Sequence, residues 1–263
     1  MLAFLKLGGS LITDKAQAET ARPDVITRLA GEIAAALYAR PDLRLVVGHG
    51  SGSFGHTAAS EFGTRGGVAG QDAWRGFARV AVVARRLNHI VLEALHGAGV
   101  PVFAVQPSAS AVCQGGVIER IETAPLRRAL DEGLVPLVYG DVAVDEVQGG
   151  TIISTEDIFT YLAHELRPAR ILLAGEYDGV LDGSGQVVPH ITPATLDSLH
   201  GALGGSGRTD VTGGMETKVK SMLVLCAAIP GLEVHIFNGQ VPGAVEQALS
   251  TEHFNAGTRL SAE

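Results

Sequence analysis

Leu2-Ala3-Phe4-Leu5-Lys6-Leu7-Gly8-Gly9-Ser10 is an apolar run that ends on a lysine and a glycine pair. Leu2–Leu7 has the length of a buried strand and stops far short of a membrane span. It lacks a basic leader and a small-residue cleavage site, so it reads as structure and not as a signal peptide. In a parallel sheet, ligands collect beyond the carboxyl ends of the strands. Glycines at such an end let backbone N–H groups face an anion, and a lysine adds fixed positive charge.

The same unit recurs further along. Leu43–Val47 reads as a second buried strand, and the glycine-rich Gly48–His56 follows it, containing His49-Gly50-Ser51-Gly52-Ser53-Phe54-Gly55-His56. This loop is neither the phosphate loop with Gly-Lys-Ser/Thr nor the spaced glycines of a dinucleotide fold. Two glycine loops, each at a strand's carboxyl end, are hard to explain as turns alone. A third candidate is Asp210-Val211-Thr212-Gly213-Gly214-Met215-Glu216-Thr217-Lys218, a glycine pair opening a helix with a lysine one turn in.

Between these loops strand and helix alternate. Helical periodicity runs through Asp24–Arg40, Asp72–His96, Pro125–Glu132, Thr155–Leu166 and Gly214–Ile229. Pro101–Val105, Val135–Tyr139, Arg170–Ala174 and Glu233–Phe237 read as further strands, and residues 112–121 and 141–154 as hairpins. The rhythm predicts a three-layer α/β/α sandwich around a mostly parallel sheet, as one domain over residues 1–263 without a long linker. Ala202–Asp210 is the most glycine-rich connection and the expected mobile loop.

A net charge of -8 argues against nucleic acid, which wants a basic stripe, but leaves room for a small phosphorylated ligand held by a few lysines. Cys113 and Cys226 are too few for a disulfide framework or zinc site, which fits a reduced cytoplasmic setting. The remaining apolar stretches are broken before a membrane span is complete. His89, His96, His164, His190, His200, His235 and His253 are scattered without metal-ligand spacing, and His49 reads as a packing residue.

Taken in order, these segments resemble the amino acid kinase superfamily along nearly the whole chain. The finer resemblance is to isopentenyl phosphate kinases. It rests on Lys6-Leu7-Gly8-Gly9-Ser10-Leu11-Ile12-Thr13-Asp14-Lys15, Gly52-Ser53-Phe54-Gly55-His56 and Asp210-Val211-Thr212-Gly213-Gly214-Met215. The histidine that closes the second loop is shared with fosfomycin kinases, so a phosphonate acceptor is the main rival; a nucleotide-sensing module is a more distant one.

The resemblance implies ATP as donor, Mg²⁺ carried on its oxygens, a homodimer, and an acceptor-binding half (about 1–165) followed by an ATP-binding half (about 166–263). It implies that Lys6, Lys15 and Lys218 bind the phosphates in transit, that Gly8, Gly9 and Ser10 approach ATP, and that Asp157 orients a lysine. Asp178, Gly179 and Val180, with Gly213 and Gly214, would bound the nucleotide site. Gly50, Ser51, Gly52, Ser53, Gly55 and His56 would hold the acceptor phosphate, and Phe77 and Val80 would line its apolar tail. Two departures stand out: Ser51 replaces a usual glycine, and Ala174-Gly175-Glu176-Tyr177-Asp178-Gly179 replaces Thr-Asp-Val-Asp-Gly. A carboxylate acceptor would instead need an arginine fork, for which Arg65, Arg75 and Arg79 are near in sequence.

Phosphoryl transfer to such an acceptor needs no general base. A phosphate monoester, with a second pKa of about 6, is already largely dianionic at neutral pH. The task is to hold two repelling anions in line.

Overall fold

The computed structural model describes residues 1–55, 64–196 and 213–263. In chain order the elements are β1 (Leu2–Leu7), α1 (Gly9–Ile12), α2 (Pro23–Ala39), β2 (Arg44–His49), α3 (Gly70–Gly97), β3 (Val102–Ala104), β4 (Val112–Gln114) and β5 (Val117–Arg120). There follow α4 (Ala124–Asp131), β6 (Val135–Tyr139), β7 (Asp141–Asp145), β8 (Gly149–Ile153), α5 (Thr155–Leu166) and β9 (Arg170–Gly175). The chain closes with β10 (His190–Ile191), α6 (Gly213–Ala228), β11 (Glu233–Asn238), α7 (Ala244–Ser250) and β12 (Thr258–Leu260).

The main sheet has the order β10-β12-β11-β9-β1-β2-β6-β3 and is parallel except between β11 and β12. Its central strand is buried on both faces, which is why β1 reads as a continuous apolar run. Ala3, Leu5 and Leu7 point into one core with Ile26, Leu29 and Ile33 of α2, Val83 and Leu87 of α3, and Val245 of α7. Phe4 points the other way, into a core with Leu126 of α4, Phe159 of α5 and Met222 of α6. These two cores are the two helical layers of the sandwich, so the expected architecture is the observed one.

Three details differ from the sequence reading. β2 continues through Gly48 and His49, because Lys6 pairs with Gly48 and Leu7 with His49 in the parallel register. The two hairpins join through a parallel β4–β7 pair into a second sheet of order β5-β4-β7-β8. Gly9 and Ser10 begin a short helix, α1, where the sequence reading gives only a glycine loop. Among the described residues no helix is long and apolar enough to cross a membrane.

One packing contact positions the site. A Cβ on Gly48 would lie 2.6 Å from Thr155 Cγ2 and 2.8 Å from the Phe159 ring. The bare backbone of β2 therefore lets the first turn of α5 settle directly over the sheet, above Lys6.

Candidate active site

That first turn is fixed by a capping box. Ser154 Oγ accepts from Asp157 N–H at 3.1 Å, and the Asp157 carboxylate accepts from Ser154 N–H at 2.8 Å and Ser154 O–H at 2.7 Å. With Asp157 held back on the cap, the neighbouring Glu156 is turned toward the sheet, where its Oε1 pairs with Lys6 Nζ. The same oxygen lies 3.4 Å from Lys218 Nζ, reaching in from α6. Lys6 and Lys218, far apart in sequence, are thus brought together as expected. The carboxylate between them is Glu156, while Asp157, expected to orient a lysine, caps α5 and acts on Lys6 through its charge.

Burial pushes the Glu156 carboxyl up, but the Lys6 and Lys218 ammonium groups outweigh it and hold it at about 2. Burial pulls the Lys6 ammonium below the ordinary lysine range; Glu156 opposes this and Lys218 adds to it. Two ammonium groups thus stand together at the carboxyl end of β1, donors suited to phosphate oxygens.

The two glycine loops touch. A Cβ on Gly9 would lie 2.4 Å from Gly52 N and 2.7 Å from Gly52 Cα, while one on Gly50 would lie 2.8 Å from Gly9 N. Gly52 itself has φ 48°, in the left-handed region that favours glycine. Thr13, which sequence reasoning passed over, ties the loops: its hydroxyl donates to Gly9 O at 2.7 Å and accepts from Ser53 N–H at 3.0 Å. Ser51 packs over Gly55, where a Cβ would meet Ser51 Oγ at 2.1 Å, so the extra side chain at Ser51 is accommodated by the missing one at Gly55.

Several expected donors are engaged in the fold. Gly8 N–H donates to Ala174 O at 2.8 Å and Gly50 N–H to Leu7 O at 3.0 Å, both extending the sheet. Ser53 is buried, with its N–H on Thr13 and its hydroxyl 3.4 Å from Thr20 O. The first turn of α1, from Gly9 and Ser10, instead offers N–H groups that have no acceptor within the helix. His56, which closes the second loop, and Asp210–Thr212 lie outside the described residues, as does the Ala202–Asp210 loop.

Lys15 sits on a hairpin closed by the Thr13–Ala21 bridge. Its Nζ is 3.0 Å from Glu176 Oε2, while Glu176 Oε1 accepts from Arg22 Nη1 at 3.2 Å and Gln240 Nε2 at 3.3 Å. Glu176, within one of the two departures from the family pattern it resembles, is therefore a second carboxylate shared between cations. Asp178 accepts from Asn238 Nδ2 at 2.8 Å, and both line a cavity of about 440 Å³ beyond the ends of β9 and β11, with Phe237, Val241 and Phe254. Val180, expected to bound the nucleotide site, is 1% exposed, and its N–H donates to Thr258 Oγ1 at 2.8 Å. Gly179 packs against Thr258 and Val187. Gly213 and Gly214 open α6 as expected.

On the acceptor side Val80 is likewise a core residue, 3% exposed. Phe77 is half-buried, edge-on to Trp74 at 5.1 Å, and packed where a Cβ on Gly150 would meet its ring at 2.9 Å. Arg75 pairs with Asp72 and Arg79 with Glu19, so these two do not form a fork for a carboxylate acceptor. His49 packs, stacked on Tyr139 and bonded to Asn88 Oδ1 at 3.1 Å, and burial keeps its pKa low. Among the described residues no group of three His, Cys, Asp or Glu side chains is placed to hold a metal.

The amino acid kinase family profile matches residues 1–238 of the sequence. The chain belongs to the amino acid kinase family. Within it, the chain is 36% identical to isopentenyl phosphate kinase of Methanothermobacter thermautotrophicus, covering 99% of each sequence. It is 38% identical to isopentenyl phosphate kinase of Haloferax volcanii over 93% of this chain and 98% of that one. An X-ray structure of isopentenyl phosphate kinase superposes with a TM-score of 0.82 at 32% identity, covering 98% of this chain and 100% of the other. Membership of this family, with these relatives, supports a phosphotransferase.

Proposed function

We propose that this protein transfers the γ-phosphoryl group of ATP to isopentenyl phosphate, giving ADP and isopentenyl diphosphate. The observation that carries the reading is the junction of the Lys6–Glu156–Lys218 cluster with two glycine loops in backbone contact. A phosphate oxygen of the acceptor forms the new bond to the γ-phosphorus as the bond to the β–γ bridging oxygen breaks, so donor and acceptor anions must meet closely. Bare backbone permits that approach, and the lysines offset the charge. Full-length similarity to isopentenyl phosphate kinases supports the choice of acceptor.

In this reading the first turn of α1, Lys6, Lys15 and Lys218 take the ATP phosphates, and the cavity beside Asp178 and Asn238 takes the nucleoside. Gly50–Gly55 and His56 take the acceptor phosphate, and Phe77 bounds its tail. The N-terminal half is then the acceptor side and the C-terminal half the nucleotide side. Mg²⁺ belongs on the ATP oxygens, where it lowers their charge; Glu156 and Glu176 are already paired with cations. A cytoplasmic homodimer fits the family resemblance.

The test is a coupled ADP-release assay with Mg-ATP and isopentenyl phosphate, dimethylallyl phosphate, fosfomycin or acetylglutamate. Turnover confined to the isoprenoid monophosphates is expected. Turnover of fosfomycin or acetylglutamate alone would replace the acceptor, and no turnover at all would leave a nucleotide-sensing module.

A further inference from the structure

The hairpin that carries Lys15 is held at its far side as well as at its tip. Glu19 N–H donates to Ser53 O at 3.4 Å and Thr20 N–H to Ser53 Oγ at 3.3 Å, which joins the hairpin to the second glycine loop. The Glu19 carboxylate then takes Arg79 on one oxygen and Arg86 on the other. Those arginines stand roughly two turns apart on one face of α3, the helix that also bears Phe77.

Glu19 reaches them from a backbone φ of 49°, a left-handed conformation that non-glycine residues seldom adopt. The arginine side chains are 46% and 52% exposed, so these ion pairs contribute little to global stability. A strained backbone held by pairs of small energetic weight points to a geometric role, because it spans the lysine hairpin and the acceptor helix.

We propose that Glu19 is a positioning residue: by bridging Arg79 and Arg86 it fixes the hairpin against α3 and sets where Lys15 stands during transfer. This inference rests on the kinase reading above. It concerns geometry at the transfer point and not the affinity for either substrate.

The test is a double-mutant cycle in the full chain, with Mg-ATP and the acceptor that the wild type turns over. Glu19→Gln and Arg86→Gln are each expected to lower kcat about tenfold, with both KM values and Tm near those of wild type. In a Lys15→Ala background, Glu19→Gln should add no further loss, since the group it places is gone. Equal fold-losses with and without Lys15, or a wild-type kcat in Glu19→Gln, would overturn the inference. Should Glu19→Gln fail to fold, Arg86→Gln carries the same cycle. A wild-type chain inactive on every acceptor would sink the kinase reading; an active one with additive losses would sink this inference alone.

Discussion

Lys6 and Lys218 meet on a single oxygen, Glu156 Oε1, although one stands on the first strand and the other on a helix near the end of the chain. Glu156 acts as their internal counterion: it keeps two like charges together before any phosphate is bound. Without it, both lysines lose their shared anchor and their mutual repulsion is uncompensated.

Glu156→Gln is therefore expected to lower kcat/KM for ATP about tenfold to a hundredfold, by letting the ammonium groups drift from their places. Steady-state kinetics on the purified variant check this, and wild-type values would show that the lysines are held by other means.

The pH profile should carry the same signature. Lys6 titrates below the ordinary lysine value of 10.5, so kcat/KM for ATP should fall as pH rises through that lowered value, where the ammonium is lost. Because Glu156, more than Asp157, opposes the lowering, Glu156→Gln should move the alkaline limb to still lower pH. An unmoved limb would assign it to another group.

At the acid end the sign is opposite in cause. The Glu156 carboxyl is held at about 2, below its ordinary 4.5, so the unfolded chain binds the proton more readily. Its stabilisation is fully present above pH 4.5 and is lost as pH falls toward 2. That loss is at most about 3 kcal/mol. Urea midpoints followed over this range should drop more steeply for wild type than for Glu156→Gln.

Gly48→Ala places a methyl group against Thr155 and Phe159 and should lift the first turn of α5. A stability loss of about 1–3 kcal/mol is expected from the overpacking. It should be accompanied by a fall in kcat because Glu156 rides on that turn. Denaturant unfolding and kinetics on one preparation separate the two effects.

His56→Ala should lose most turnover with its unfolding midpoint unchanged, and His56→Gln should keep part of it by retaining a donor. Wild-type turnover in His56→Ala would remove the residue from the acceptor site.

Much of the fold was legible because its signals are local. The apolar runs of β1 and β9 and the periodicity of α2, α3 and α5 each satisfy their rule within one segment. What was missed depends on distant partners. α7 and β12 are short and become structure only by packing on α2 and pairing with β11. Likewise, the two hairpins gave no sign that β4 would pair with β7.

The site shows the same division. Lys6, Lys218 and the glycine loops could be read from their positions at strand and helix ends. The choice between Glu156 and Asp157 had a usable signal in Ser154-Thr155-Glu156-Asp157, whose serine-to-aspartate spacing is that of a capping box and commits Asp157 to the helix end. The resemblance implies ligand contacts at Gly8, Gly50 and Val180, positions whose N–H groups also have partners within the fold. No short-range pattern reveals that competition.

The contact between Gly9 and Gly52 has a mechanical meaning. Side chains can rotate away from one another, whereas two peptide planes in van der Waals contact and tied through Thr13 cannot. In the proposed reaction, the separation of donor and acceptor is then gauged by the thickness of the main chain itself. Such a spacer would hold its length whatever the acceptor's tail, so the tail could vary while the transfer distance stays fixed.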